Sequence, residues 1–304
     1  MRKILCLLLC LLLCGCAAPI QTGGYTFTDS TGCEVRLEQN PKTVAVLLSS
    51  LADVWITAGG TVDITVGESV ERGFAAEDAI LVDDGAGKTV DLERLIASKP
   101  DLVIYSPDIT GQAECAETLR SAGIPVAGFR VDTFDEYLRM LKICTDLTGQ
   151  PERYQTYGLS VRERINAILV DAQSRPDQPK ILFVRAGSSA KYTKAKTAEN
   201  NFVCVMLKEL GTHNIAEKAP ILLDGLSMEE ILSSDPDVIF YTTMGSEDSA
   251  VSYMESLLAD PVWSSLTAVR SGNVHHLPKD LFQYKPNARW NEAYAYLVTL
   301  LYGE

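Results

Sequence analysis

DLERLIASKPDLVIYS at residues 91–106 and SMEEILSSDPDVIFYT at residues 227–242 are two copies of one pattern, 136 residues apart. Pro100-Asp101 in the first copy aligns with Pro236-Asp237 in the second, and apolar positions match apolar positions throughout. Each copy predicts a short helix, a break at the Pro-Asp pair and then a buried strand. The chain therefore contains two similar halves.

A second repeat lies upstream of each copy, where a proline-lysine pair opens another buried strand. It reads NPKTVAVL at residues 40–47 and QPKILFVR at residues 178–185. Continuous apolar strands of this kind are typical of parallel sheets that are covered on both faces. Because two copies are too few for a solenoid, we predict an α/β fold of two lobes, each with a mostly parallel sheet.

The segment between the two halves predicts one long α-helix that joins the lobes. Pro151 suits its start, and Pro176 ends it. Its apolar and aromatic residues recur every three or four positions, which places them on one helical face: Tyr154, Tyr157, Val161, Ile165, Ile168 and Ala172. Ligands bind beyond the carboxyl ends of the strands in open α/β sheets, so we expect the binding site in a cleft between the lobes.

The amino-terminal residues have the features of a bacterial secretion signal. Arg2 and Lys3 precede an apolar run, residues 4–13, that is too short to span a bilayer. The run ends in Leu13-Cys14-Gly15-Cys16, which resembles a lipobox and implies lipidation of Cys16; an ordinary signal peptide is the alternative. We expect an extracytoplasmic protein whose only contact with the membrane is this anchor, on the outer face of the cytoplasmic membrane by preference.

These observations divide the chain into five predicted segments. They are a lipoprotein signal peptide with its lipobox (1–16), a tether and an N-terminal hairpin (17–40), an N-terminal lobe (41–150), the inter-lobe helix (151–175), and a C-terminal lobe with a terminal helix (176–304).

Composition and cysteine spacing exclude several classes of function. A net charge of −13 over 304 residues argues against nucleic acid as a partner. Cys33, Cys115, Cys144 and Cys204 are widely spaced with no CxxC pair, which argues against a zinc site and leaves disulfides or buried free thiols open. GAGKT at residues 85–89 resembles the end of a P-loop, but position 82, where that motif needs glycine, is valine. It predicts a turn before a helix near Asp91.

The chain resembles the substrate-binding lipoproteins of ABC importers, of the class that handles ferric siderophores, haem and cobalamin. Four stretches carry the resemblance in order: TFTDSTGCEVRLEQNPKTVAVL, DLERLIASKPDLVIYSPD, SMEEILSSDPDVIFYTTMG and DPVWSSLTAVRSGNVHHLPKDLF. It implies the class III periplasmic-binding-protein fold, two Rossmann-like lobes joined by a single helix. It also implies a binding protein without catalytic residues or a cofactor, whose partners are an ABC permease dimer and its cytoplasmic ATPase. Cys33 departs from the arginine that relatives often carry there.

The resemblance also implies that one glutamate on each lobe docks to the permease. The matching positions are Glu93 and Glu229, which both repeat copies share, with Glu230 as the substitute for Glu229. The alternative is that both glutamates only favour the dipole of the first helical turn.

Candidate ligand-binding residues follow the predicted strands. RAGSSAKYTKAKTAENN, residues 185–201, is basic in an otherwise acidic chain and suits an anionic ligand; an exposed lysine-rich loop is the alternative. Its candidates are Arg185, Lys191, Tyr192, Lys194 and Lys196. The other candidates supply charge or stacking walls, with core packing as the alternative for the aromatic ones: Trp55, Arg72, Phe74, Arg130, Met244, Tyr284 and Arg289.

No protein-held metal is expected, because the adjacent His275 and His276 on a predicted strand face opposite sides. Haem ligation by His213, Tyr192 or Met244 stays open. We favour a ferric siderophore as the ligand, then cobalamin or another corrinoid, then haem. A lipid-anchored enzyme or a receptor that does not transport is the hypothesis from a different class, although the chain lacks G-x-S-x-G and H-E-x-x-H motifs.

Overall fold

The computed structural model describes residues 24–37, 40–85, 87–217 and 228–303. The predicted signal peptide with Cys16 lies outside these residues. Within them, no helix combines the length and the apolar character that crossing a membrane requires. An antiparallel hairpin opens this part of the chain, with β1 at Tyr25–Thr28 and β2 at Glu34–Leu37. Phe27 of the hairpin stacks on Phe129 of the first lobe, with 6.3 Å between the ring centroids.

The first lobe is built on a sheet of five parallel strands in the order β5-β4-β3-β6-β7. The strands are β3 Val44–Val46, β4 Ile64–Thr65, β5 Ile80–Leu81, β6 Leu102–Tyr105 and β7 Val126–Gly128. Its helices are α1 Ser49–Thr57, α2 Gly67–Glu71, α3 Leu92–Ala97, α4 Thr110–Ser121 and α5 Phe134–Thr148. Leu102, Val103 and Ile104 of β6 are fully buried, as continuous apolar strands require.

A helical run follows the first lobe in the sequence: α6 at Pro151–Tyr154, a π-helical turn at Gln155–Leu159 and α7 at Ser160–Gln173. The Ser160 N–H donates to the Gln155 carbonyl, five residues back. Each π-turn inserts an extra residue and shifts the phase of the side chains that precede it. The predicted single stripe is therefore wrong at Tyr157, which is 37% exposed, whereas Val161 and Ile165 are buried.

Gly158 occupies the tightest point of this π-turn. A Cβ there would lie 2.8 Å from Cδ2 of Leu138 and 3.3 Å from Cδ2 of Leu141, two buried side chains of α5. Glycine thus allows the helical run to approach α5 closely.

We expect Gly158→Ala to destabilise the protein by about 1–3 kcal/mol, although alanine normally favours a helix, because the added methyl overpacks a filled core. Denaturant unfolding measures the change. Leu138→Ala makes room for the methyl, so the double variant should lose less stability than the sum of the two single variants. A fully additive double variant would contradict the proposed contact.

The second lobe repeats the first with a sheet ordered β10-β8-β11-β12, whose strands are parallel, and β9 pairs antiparallel with β8. The strands are β8 Lys180–Ala186, β9 Lys194–Ala195, β10 His213–Asn214, β11 Val238–Thr243 and β12 Val274–His276. The helices are α8 Phe202–Glu209, α9 Met228–Ser234, α10 Glu247–Leu258, α11 Thr267–Arg270, α12 Lys279–Phe282 and α13 Trp290–Tyr302. The predicted mostly parallel α/β architecture is confirmed in both sheets.

Within each lobe, the segment that begins with Pro-Lys lies beside the segment that begins with Pro-Asp. The strand after Pro-Lys pairs with the strand after Pro-Asp, as β3 with β6 and as β8 with β11. A carboxylate of Asp101 accepts the N–H groups of Lys42 and Thr43 at 2.8 and 3.0 Å, and that of Asp237 accepts the N–H of Lys180 at 2.8 Å. The aspartate of each Pro-Asp pair thus fixes the start of the neighbouring strand.

A left-handed residue precedes each of these prolines. Lys99 has a φ of 49° and Asp235 a φ of 42°, and both end a short helix. A residue before proline is disfavoured in the α-helical region, which explains why the helix ends there. In both lobes the chain leaves the helix through the left-handed conformation that is common at helix carboxyl ends.

The four cysteines of the described residues are free thiols. Cys144 and Cys204 are buried among apolar side chains, and burial raises the pKa of both thiols. Of the two alternatives left open by the sequence, the structure shows free thiols.

Candidate functional site

The two lobes meet where the carboxyl ends of their strands face each other. Residues 49–74 and 129–132, which follow β3, β4 and β7, approach residues 279–289, which follow β12. Residues 185–202 extend the second-lobe side. We call the space that these four segments bound the inter-lobe cleft.

Two cavities open into the inter-lobe cleft and share Lys285 as a lining residue. The larger one has a volume of about 450 Å³ and is lined by Asp53, Glu71, Arg72, Phe74, Asp280, Lys285, Pro286 and Arg289. The smaller one, of about 150 Å³, is lined by Asp132, Arg185, Asn200, Asn201, Phe202, Thr242, Phe282, Gln283 and Lys285. Both lobes therefore contribute to each cavity.

Arg72 lines the larger cavity and is held by contacts with both lobes. Its Nη1 donates to Ser49 Oγ at 2.8 Å, and the Ser49 hydroxyl donates to the Glu68 carboxylate. Its guanidinium carbon lies 4.7 Å from the ring centroid of Phe74 in its own lobe and 3.7 Å from that of Tyr284 in the other lobe. The guanidinium is thus stacked between two aromatic rings, one from each lobe.

Residues 285–287 join the lobes by polar contacts. The Lys285 ammonium pairs with Asp132, and it lies 4.5 Å from the ring centroid of Phe202. The Asn287 amide donates to the Ser50 carbonyl and to the Asp53 carboxylate, both at 2.8 Å. Asn287 is fully buried and has a φ of 50°, a conformation that costs free energy unless its surroundings impose it. These contacts hold the backbone of the segment against the first lobe.

Asp53 lies beneath this segment, at the floor of the larger cavity. Burial raises the pKa of its carboxyl group, while the hydrogen bond from Asn287 and the charges of Arg72 and Arg289 act in the opposite direction. Since the pKa in the folded state lies above the unfolded value, the folded state holds the proton more tightly. The ionised carboxylate therefore lowers stability above the folded pKa, and this cost disappears below the unfolded pKa of about 3.9.

We expect Asp53→Asn to raise the melting temperature at neutral pH, because the amide can accept the same hydrogen bond without carrying a buried charge. The gain should shrink as the pH falls and be absent below about pH 4. Thermal unfolding of both proteins across this range measures it. A gain that is constant with pH, or a loss at neutral pH, would show that Arg72 and Arg289 fully offset the burial of the carboxylate.

A basic cluster lies on the second-lobe side of the inter-lobe cleft and consists of Arg185, Lys194 and Lys196. Arg185 lines the smaller cavity, and Lys194 is its partner in the antiparallel register of β8 and β9. Burial lowers the pKa of Lys196, and the like charges of Arg185 and Lys194 lower it further. The positive charges of Arg185 and Lys194 thus act on Lys196, and an anion bound beside Lys196 would relieve this repulsion.

The amino terminus of α8 also favours the binding of an anion. Asn201 caps this helix by accepting the Val203 N–H at 2.9 Å, and Asn200, Asn201 and Phe202 all line the smaller cavity. The positive end of the α8 dipole therefore lies at the cavity that Arg185 lines.

Other predicted site residues lie away from the two cavities. Lys191 and Tyr192 form an exposed 3₁₀ turn, in which the ammonium lies 5.5 Å from the neighbouring ring. Arg130 pairs with Asp108 at 2.9 Å within the first lobe, and Met244 is half-buried directly after β11. The structure does not bring these four side chains to the lining of either cavity. The same holds for three predicted residues that lie close to the cleft, Lys194, Lys196 and Tyr284.

Trp55 does not fit the cleft wall that we expected. Its side chain is only 2% exposed, its indole N–H donates to the Thr61 carbonyl at 2.7 Å, and it packs in the core on the inner face of α1. Core packing, the alternative for the aromatic candidates, is what the structure shows at this position.

Sequence reasoning did not single out Lys285, Asn287, Asp53 or Asp132. Lys285 and Asn287 lie between two predicted site residues, Tyr284 and Arg289, but no periodicity marks them. Their partners in the first lobe are more than 150 residues away in the sequence.

Glu93 and Glu229 lie at equivalent places of the two lobes. Each is in the first turn of a short helix, α3 or α9, that leads to the Pro-Asp pair, and each is exposed. The start of α3 lies at the carboxyl end of β5, because the Asp91 N–H donates to the Val82 carbonyl just beyond that strand. The end of α9 lies at the amino end of β8, where Lys180 Nζ donates to the Ser234 carbonyl, so the start of α9 lies toward the opposite edge of the sheet. Both glutamates therefore lie toward the edge of the sheet that carries the inter-lobe cleft.

The histidines are dispersed. His275 and His276 follow each other on β12 opposite Phe240 and Tyr241, and the His276 ring stacks on Tyr241 with 4.8 Å between centroids. Among the described residues, no group of three or more histidine, cysteine, aspartate or glutamate side chains is placed to hold a metal ion.

Comparison with known proteins gives the same architecture. A family model described as "Periplasmic binding protein" matches residues 44–281. The chain is 23% identical over 177 residues to the vitamin B12-binding protein of Pectobacterium carotovorum subsp. carotovorum (strain PC1), a match that covers 57% of this chain and 62% of that protein. It is 21% identical over 275 residues to the putative ABC transporter substrate-binding lipoprotein YhfQ of Bacillus subtilis (strain 168), covering 83% and 80%.

A solved structure of Staphylococcus aureus SirA complexed with staphyloferrin B superposes with a TM-score of 0.66 at 18% identity. The superposition covers 92% of this chain and 97% of that one. The chain thus spans less than two thirds of the length of the vitamin B12-binding relative, but nearly all of the SirA chain.

Proposed function

Since the chain belongs to the periplasmic binding protein family, we propose that it captures an iron chelate in the inter-lobe cleft and delivers it to an ABC permease. Members of this family are extracytoplasmic substrate-binding proteins of ABC importers. We favour a ferric siderophore as the ligand, with cobalamin or another corrinoid as the alternative.

The observation that carries this proposal is the basic cluster of Arg185, Lys194 and Lys196 beside the amino terminus of α8. Ferric chelates of carboxylates and catecholates are anions, and charge-assisted hydrogen bonds in a partly buried site are the strong ones. The chain as a whole is acidic, with a net charge of −13, so an anion is attracted by this cluster and not by the protein surface in general.

The aromatic side of the inter-lobe cleft supports a bulky ligand. Phe74 and Phe202 are both in contact with cations there, and such aromatic walls suit a chelate with apolar or planar parts. The same walls suit a corrinoid, which is why that ligand remains the alternative.

Delivery requires a docking surface on each lobe. We assign Glu93 and Glu229 to it, because two exposed carboxylates on equivalent helices can meet the two subunits of a permease dimer. A cytoplasmic ATPase is the expected partner of that permease. Lipidation at Cys16 is the proposed tether that keeps the protein at the membrane surface.

Calorimetric titration of the purified protein tests the ligand. We expect saturable binding of an anionic ferric chelate without turnover. If haemin alone saturates, with a shift of its Soret band, or if cobalamin alone does, the siderophore assignment is wrong. If none of the three binds, the substrate class is wrong, and conversion of a chelate to product would instead favour an enzyme.

A further inference from the structure

We propose that Tyr284 gates the inter-lobe cleft: its ring covers the face of the Arg72 guanidinium that an aromatic ring of the ligand takes on binding. This inference rests on the proposed function, because it concerns entry of the ligand into the same cleft. It narrows the ligand to a ferric chelate that carries an aryl group, such as a catecholate.

The two rings that enclose Arg72 are held in different ways. Phe74 is fixed by its own lobe: Gly73, with a φ of 74°, turns the chain back, the Phe74 N–H donates to the Ser69 carbonyl at 2.8 Å, and the ring packs against the main core. Tyr284 is not among the apolar side chains that pack against the core clusters of the described residues. The Phe74 ring is therefore a fixed wall, whereas the Tyr284 ring can be displaced.

Cations hold the ring of Tyr284. The guanidinium carbon of Arg72 lies 3.7 Å from its centroid and the ammonium of Lys279 lies 4.8 Å from it, and Lys279 also hydrogen-bonds to the phenol oxygen. Cation–π contacts at a partly exposed site are modest in strength, so an incoming ring can replace this one at little net cost. A ligand without a ring would leave the guanidinium face uncovered.

The segment that contains Tyr284 lies between the two cavities of the cleft, although the Tyr284 side chain itself lines neither. Gln283 lines the smaller cavity, Pro286 lines the larger one, and Lys285 lines both. A volume of about 150 Å³ is below the roughly 300–1,000 Å³ of most small-molecule sites. A chelate that reaches both Arg185 and Arg72 must therefore displace a side chain of residues 283–286, the segment between the cavities.

The movement that we infer is a rotation of the Tyr284 side chain and not a shift of the backbone. The backbone of the segment is held to the first lobe by the contacts of Lys285 with Asp132 and of Asn287 with Ser50 and Asp53. The Tyr284 side chain is half-buried. Among the described residues it makes no hydrogen bond to the backbone of the first lobe. Its ring can swing away while the segment stays in place.

Stopped-flow and calorimetric binding of a ferric tris(catecholate) and of ferric citrate to the Tyr284→Ala variant tests this gate. We expect the variant to bind the catecholate faster and about three- to thirtyfold more tightly than the unaltered protein, with a smaller gain for ferric citrate. Tyr284→Phe keeps the ring but loses the hydrogen bond from Lys279, so its values should lie between those of the unaltered protein and those of Tyr284→Ala. Tyr157→Ala, which removes an exposed tyrosine outside the cleft, is the matched control.

Weaker binding of the catecholate by Tyr284→Ala would make Tyr284 a wall of the site and overturn the gate, as would an unchanged affinity and rate. An equal gain for both chelates would overturn the preference for an aryl group. If the unaltered protein binds neither chelate, the proposed function fails and the gate with it. Melting temperatures of the variants identify any loss of folding.

Discussion

Replacing both Glu93 and Glu229 with alanine is expected to reduce cellular uptake of the chelate at least tenfold while leaving the affinity of the purified protein unchanged. Both carboxylates are exposed on the first turns of α3 and α9, and neither lines a cavity of the inter-lobe cleft. Charges at the rim of an interface set orientation and association rate, so their loss should act on docking and not on ligand capture.

Uptake of radiolabelled iron by cells that lack the native copy, combined with calorimetry on the purified variants, separates the two effects. Glu114→Ala combined with Glu255→Ala is a charge-matched control, because both residues are exposed on α4 and α10. Unimpaired uptake in the Glu93/Glu229 double variant would remove these residues from the docking surface. A loss of ligand affinity would move them into the cleft.

Replacing Arg185 and Lys196 with alanine is expected to weaken ligand binding by more than a hundredfold. A hydrogen bond to a charged group contributes about 1.5–3 kcal/mol, so the loss of two such bonds corresponds to about 3–6 kcal/mol. Lys196 is partly buried and its pKa is lowered, which means that its positive charge is poorly solvated before an anion arrives.

Salt titration distinguishes this electrostatic contribution from lost packing. The affinity of the unaltered protein should fall with ionic strength more steeply than that of the double variant, because exposed charges are screened. Lys42→Ala combined with Lys208→Ala removes two exposed lysines away from the cleft and is the matched control. An affinity that tolerates the loss of Arg185 and Lys196 would leave the aromatic walls as the main binding surface and favour the corrinoid.

Much of the fold could be predicted because its signals are local. Each Pro-Asp pair marks a helix end and a strand start within a few residues, and the structure shows why: Asp101 and Asp237 bond directly to the start of the adjacent strand. The phase of the helix around Tyr157 could not be predicted in the same way. It depends on a π-turn that Gly158 makes against Leu138, a residue of another helix.

The candidate site was predictable in outline only. Arg72, Phe74, Arg185 and Arg289, which line the two cavities, could be named as candidates because ligands bind beyond the carboxyl ends of parallel strands. Trp55 lies in such a segment too, but a short helix after a strand has one face in the core, and composition does not tell which face a tryptophan takes. Asn287 and Lys285 act through partners 234, 237 and 153 positions away, at distances in sequence that no local pattern encodes.

Lys99 and Asp235 bear on the ancestry of the chain. Each adopts a left-handed conformation that costs a non-glycine residue about 1–2 kcal/mol, and glycine would avoid that cost at either position. The following proline excludes only the α-helical region, so unrelated modules that converged on similar layers could have left the helix through the extended region instead. Both halves instead have the same left-handed residue before proline at the same place. The simplest explanation is that they descend from a single half-length gene that was duplicated and fused.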